Sequence, residues 1–114
     1  KYVTDIDRVS LRNSFVTEAG LQMLKKLQKV NYLDLRGMPL HGVNLDCILH
    51  LNTLEFLDVQ YTRLSSQGIY QILKTFQGLA TLLAHVNPKD ASLPEIWKRE
   101  FPRCNLIIGI VDHS

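Results

Sequence analysis

"YLDLRGMPL" at residues 32–40 returns in altered form as "FLDVQYTRL" at residues 56–64. An echo of this kind in a 114-residue chain points to units that each need a neighbour, so the period is the first quantity to extract. In register, Ile6, Val30, Leu54 and Leu79 form one column, with steps of 24, 24 and 25 residues. Val9, Leu33, Leu57 and Leu82 form a second column, and Leu11, Leu35, Val59 and Ala84 a third. Each unit therefore opens with apolar residues at relative positions 0, 3 and 5. The last two are separated by one residue, which is the period of a strand with one buried face.

Five residues past the third column come Val16, Leu40 and Leu64, followed by "TEAGL", "HGVNL" and "SSQGI". Gly20 and Gly68, with Asn44 between them in the series, are residue types that suit tight turns. Leu21, Leu24 and Leu27, then Leu45, Ile48 and Leu51, then Ile69, Ile72, Leu73 and Phe76 have the spacing of a buried helical stripe. Thr17 and Ser65 stand where helices take their N-caps. Each unit thus reads as strand, turn, helix and return loop. No single unit covers its own apolar face, whereas stacked neighbours bury one continuous core.

The pattern changes after Ala84. Pro88 and Pro94 interrupt the chain, and Asp90 or Ser92 is placed to cap a short helix from about Leu93 to Phe101, with Ile96, Trp97 and Phe101 as its apolar side. Pro102 ends it, and "NLIIGIV" reads as one more strand. This segment is expected to close the array, with Trp97 and Phe101 shielding its last exposed edge. The expected fold is α/β: a short leucine-rich-repeat solenoid with a parallel sheet of about five strands on the concave face, helices on the convex face and a C-terminal cap. Residues 1–114 form a single domain, with repeats at about 6–29, 30–53, 54–78 and 79–86 and the cap at about 87–114.

Composition narrows the function class. With 46% hydrophobic residues the chain has ample core material, and a net charge of +2 is too small for a nucleic-acid footprint or a polybasic membrane tether. There is no signal-type apolar segment and no run of about 18 apolar residues or more. Cys47 and Cys104 make no disulfide framework and read as buried small hydrophobes, which fits a reducing, cytoplasmic or nuclear setting. The opening "KYVTDID" lacks an initiator Met and reads as a fragment of a longer protein. No nucleophile-elbow, phosphate-loop or dinucleotide motif occurs, and His41 and His50 lack the spacing of a zinc site. We expect no enzyme, no cofactor and no metal.

The phrases "LDLRGMPL" and "LDVQYTRLSSQGI", with "FPRCNLIIG" at the close, resemble leucine-rich repeats of the ribonuclease-inhibitor-like, cysteine-containing type. That variety is found in F-box/leucine-rich-repeat and ZYG-11-like substrate receptors. The resemblance covers nearly the whole chain and implies a protein-protein interaction module. It also implies substrate selection for a cullin-RING ubiquitin ligase, reached through regions outside this sequence. Where many repeats carry Asn, this chain has Asn13, Gly37 and Tyr61.

If positions 3 and 5 face the core, positions 2, 4 and 6 face outward. The first outward column holds Arg8, Tyr32, Phe56, Thr81 and Ile107. The second holds Ser10, Asp34, Asp58, Leu83 and Gly109, and the third Arg12, Arg36, Gln60, His85 and Val111. Tyr32 beside Phe56, with Arg and Asp around them, has the composition of an interface anchor with a charged rim. Equally, the two rings are a cross-strand pair that stabilises the sheet, or are covered by another part of the parent chain. Asp34 and Asp58 on adjacent strands read as solvated or paired with Arg12 and Arg36 rather than as a metal site. The expected partner-binding residues are Arg8, Arg12, Tyr32, Asp34, Arg36, Phe56, Asp58, Gln60 and His85. Two alternatives stand beside this: RNA or a ribonucleoprotein held by basic residues such as Lys98 and Arg99, and a structural role against the parent chain.

Overall fold

The structure, a computed structural model, describes residues 8–10, 22, 24–38, 40 and 43–111. Its frame is a five-stranded open sheet in which every strand is parallel to the next and spatial order follows chain order. The strands are β1 (Arg8–Ser10), β2 (Tyr32–Asp34), β3 (Phe56–Asp58), β4 (Thr81–Val86) and β5 (Asn105–Ile110). Helical segments occupy the crossovers that parallel pairing requires. Backbone at residues 22 and 24–26 is helical, and a 3-10 turn at Val43–Cys47 joins β2 to β3. Helix α1 (Ser66–Thr75) joins β3 to β4, and helix α2 (Leu93–Glu100) joins β4 to β5.

The register aligns the apolar columns: Val9 pairs with Leu33, Leu33 with Leu57, Leu57 with Leu82, and Leu82 with Leu106. Leu33, Leu57 and Leu82 are fully buried, as are Leu35 and Ala84. They share a single core with Leu24, Leu45, Ile48, Ile69, Ile72 and Trp97 from the crossovers. Alternation along β4 is regular, with Leu82, Ala84 and Val86 buried and Thr81, Leu83 and His85 half-buried. One sheet face is therefore dry and the other is open to contact, as the period of two requires.

Four local features depart from expectation. The stripe Leu45, Ile48 and Leu51 belongs to a 3-10 turn and the turns that follow it: Ile48 N–H donates to the Leu45 carbonyl at 3.0 Å, and Leu51 N–H to that of Ile48 at 2.9 Å. The 69, 72, 73, 76 series, which carries the extra neighbour of a 3.6-residue period, forms the α-helix α1. Gly68 sits inside α1 rather than in a turn, and a Cβ there would lie 2.7 Å from Leu64 Cδ1. Ser65 caps α1 as expected, accepting from Gly68 N–H at 3.2 Å, whereas Ser92 precedes α2 without a side-chain cap bond.

The fourth departure lies in the last strand. Thr81 pairs with Asn105, Leu83 with Ile107 and His85 with Gly109, so Ile107, Gly109 and Val111 sit two residues out of the columns expected for them. Face parity is preserved, because a slip of two keeps every side chain on its side. The expectation followed the apolar run of the strand, whereas the unbroken step of 24 from Leu82 to Leu106 sets the pairing. Trp97 is buried and Phe101 half-buried, but Ile96 is 47% exposed. The closing strand is itself an edge, with β4 as its sole strand neighbour among the described residues.

Candidate functional site

The open sheet face is built by the residues that alternate with the buried columns. In the first outward column Arg8 pairs with Tyr32, and Tyr32 with Phe56. Identical register on adjacent parallel strands brings the two rings face to face: their centroids are 4.2 Å apart and their planes 2° from parallel. The Arg8 guanidinium lies 4.7 Å from the Tyr32 centroid, a cation over the electron-rich ring face. Both rings are half-buried and Arg8 is exposed, so the three form a ridge of cation and stacked aromatics reachable from outside.

The second column is more enclosed than the first. Asp34 and Asp58 stand on the outward side, but they are only 4% and 3% exposed. Of the two expected roles, solvated or paired with arginine, the structure shows the pairing with Arg36. Asp34 accepts from Arg36 Nη2 at 3.0 Å and Nε at 3.1 Å, and from the Arg36 backbone N–H at 3.2 Å. Asp58 accepts from the Gln60 backbone N–H at 3.0 Å and lies 3.2 Å from Arg36 Nε. The arrangement repeats from one strand to the next because an aspartate at a strand end bonds the N–H two residues on and starts a turn. The residue after each of these N–H donors has left-handed backbone, Gly37 with φ 78° and Tyr61 with φ 59°.

Arg36 is thus shared between two carboxylates, the arginine pairing expected of it. Its own pKa is raised, first by the hydrogen bond with Asp34. Burial pushes the Asp58 carboxyl up; the Gln60 N–H opposes that shift, the Asp34 charge reinforces it, and Arg36 opposes it. With its side chain 34% exposed, Arg36 is the member of this trio that a visitor can touch.

In the third column Gln60 and His85 are half-buried. The Tyr61 N–H donates to His85 Nδ1 at 3.3 Å, and the two rings meet edge to face at 4.5 Å and 69°. His85 lies over Gly109, where a Cβ would approach its Cδ2 to 2.6 Å. Tyr61, 61% exposed, borders this surface and is absent from the outward columns read from the sequence. The signal was present, since Tyr61 stands in series with Asn13 and Gly37, residue types suited to left-handed backbone. Beyond it, a cleft of about 300 Å³ is lined by Arg63, Ser65, His85, Asn87 and Asp90 among others. Arg12, placed in the same column by sequence, lies outside the described residues.

Cys47 is buried and its thiol pKa is raised by burial; burial pushes the Cys104 thiol up to about 11. Both thiols are free. Among the described residues no three His, Cys, Asp or Glu side chains are grouped to hold a metal, and no helix is long and apolar enough to cross a membrane. Comparison of the chain with protein-family models, curated proteins and solved structures gives no significant match.

Proposed function

We propose that this chain is a leucine-rich-repeat-type solenoid that recognises another protein, without catalysis, on the open face of its sheet. The observation that carries the reading is the ridge of Arg8, Tyr32 and Phe56. Two rings held parallel by strand register, under a guanidinium, are rigid, amphipathic and partly accessible, which are the properties of interface anchors. Arg36, Gln60, Tyr61 and His85 continue the surface with hydrogen-bonding groups. Asp34 and Asp58 serve it indirectly, by fixing the Arg36 guanidinium in one direction. The repeat period of 24–25 residues and the strict chain-order pairing support the solenoid reading.

The resemblance to F-box/leucine-rich-repeat and ZYG-11-like receptors favours a setting in which the bound protein is a substrate of a cullin-RING ubiquitin ligase. The compartment proposed with it is cytoplasmic or nuclear. The test is affinity capture with wild type and with Tyr32→Ala/Phe56→Ala. Removing both rings should weaken capture of the partner by about tenfold or more, given the typical loss at a truncated hot spot. In the ligase setting the double variant should also lengthen that partner's cellular half-life. Equal recovery of every partner, with unchanged circular dichroism, would reject this face.

A further inference from the structure

We propose that two copies of this chain associate through antiparallel pairing of their β5 edges. The inference is independent of the recognition face described above. Strand β5 has six residues and one strand neighbour among the described residues, so one row of its backbone groups lacks a strand partner there. The N–H groups of Asn105 and Val111 donate to the Ala80 and Val86 carbonyls of the β4 side at 2.7 and 2.9 Å. By the two-residue period of a parallel ladder, the N–H and C=O of Leu106, Ile108 and Ile110 point the opposite way, toward the free edge.

Natural edges are usually protected by charge, proline, a bulge or brevity. The stretch Asn105–Ile110 contains no charged residue and no proline, and its Ile107 and Ile110 are 47% and 55% exposed. The opposite edge differs: the described residues of β1 include the exposed Arg8. A second β5 therefore matches this edge in its lack of charge, whereas β1 of another copy would bring the charged Arg8 against it. Antiparallel alignment about Ile108 faces Leu106 with Ile110 of the second copy, and a hydrogen-bonded facing pair exchanges both backbone bonds. It also sets the exposed Ile107 opposite the side-chain gap at Gly109, and it keeps the two exposed Arg103 residues at opposite ends of the seam. The two-fold symmetry closes the assembly, because the β5 edge of each copy is occupied by that of the other.

The experiment is size-exclusion chromatography with light scattering on the purified chain across a concentration series. The expected mass rises from the 13.1 kDa of one chain to twice that value and no further. Ile110→Pro removes an N–H that points away from β4, the kind of position where an edge strand tolerates proline. It should move the midpoint of association to about tenfold higher concentration or more, while circular dichroism and Trp97 fluorescence stay as in wild type. Ile110→Val should keep the pair. If the proline variant does not fold, Ile107→Lys, which alters an exposed side chain, should weaken association in the same sense. A mass of one chain at all concentrations would overturn the proposal, leaving the edge to some other strand. So would a mass that grows past two chains, the mark of head-to-tail joining of β5 to β1, or a pair indifferent to both variants.

Discussion

Asp58 shows how a side chain can sit on the outward side of a sheet without being offered to solvent. Its carboxylate is covered, bonded to the Gln60 N–H, and near an Arg36 that Asp34 holds more fully. Burial raises its folded-state pKa above the ordinary carboxylate value, so the folded chain holds this proton to higher pH than the unfolded chain does. The associated stability is present in full below the unfolded pKa of about 4 and is lost as pH rises through the folded value. Asp58→Asn keeps an oxygen for the Gln60 N–H and removes the titration. The variant should therefore gain on wild type as pH rises from about 4 toward neutrality, ending within about 1 kcal/mol of it at pH 7. Urea denaturation at several pH values measures this. A variant that loses ground as pH rises would mean that the attraction of Arg36 outweighs burial.

Helix α1 owes its start to one hydroxyl. The Ser65 side chain accepts from Gly68 N–H, one of the donors that a first helical turn leaves without a carbonyl. Ser65→Ala should lower stability by about 1 kcal/mol, and Ser65→Asp should restore most of it, since both original and replacement accept at an N-cap. Thermal unfolding followed by circular dichroism separates the two variants; equal melting temperatures would show that the cap bond contributes nothing. The 3-10 turn at Val43–Cys47 fills the same place between strands by a different route. Leu45, Ile48 and Leu51 all reach the core with a step of three, so burial is preserved although the helix type changes. In sequence both stripes read as the same helical form; the 69–76 stripe differs in containing adjacent apolar residues of the kind a 3.6-residue turn brings to one face.

Across the whole molecule the columns join into one core, with Leu57 fully buried in the middle strand and paired to both Leu33 and Leu82. Leu57→Ala should cost roughly 2 to 5 kcal/mol, the range for a large aliphatic side chain removed where neighbours cannot collapse. Trp97, buried in α2, provides a fluorescence reporter on a different element. Its unfolding midpoint should shift with the Leu57 substitution if the proposed stack unfolds as one unit. A Trp97 transition that keeps its midpoint would show that the strands of the sheet come apart separately.

Among the described residues, the repeat period already contained the strand positions, the buried columns and the side of the sheet on which the outward residues stand. Those properties follow from local geometry: a two-residue alternation and a constant step of 24 or 25 residues leave little freedom in which atoms meet. The period also carried the register of β5, although the apolar run of that strand obscured it. What the linear chain left open were the choices made by contacts between strands. Whether Asp34 and Asp58 meet solvent depends on where a single Arg36 side chain comes to rest, and the stacking of Tyr32 on Phe56 depends on rotamers set by both strands together. Alternation assigns a side to each residue; only the assembled sheet decides what else occupies that side.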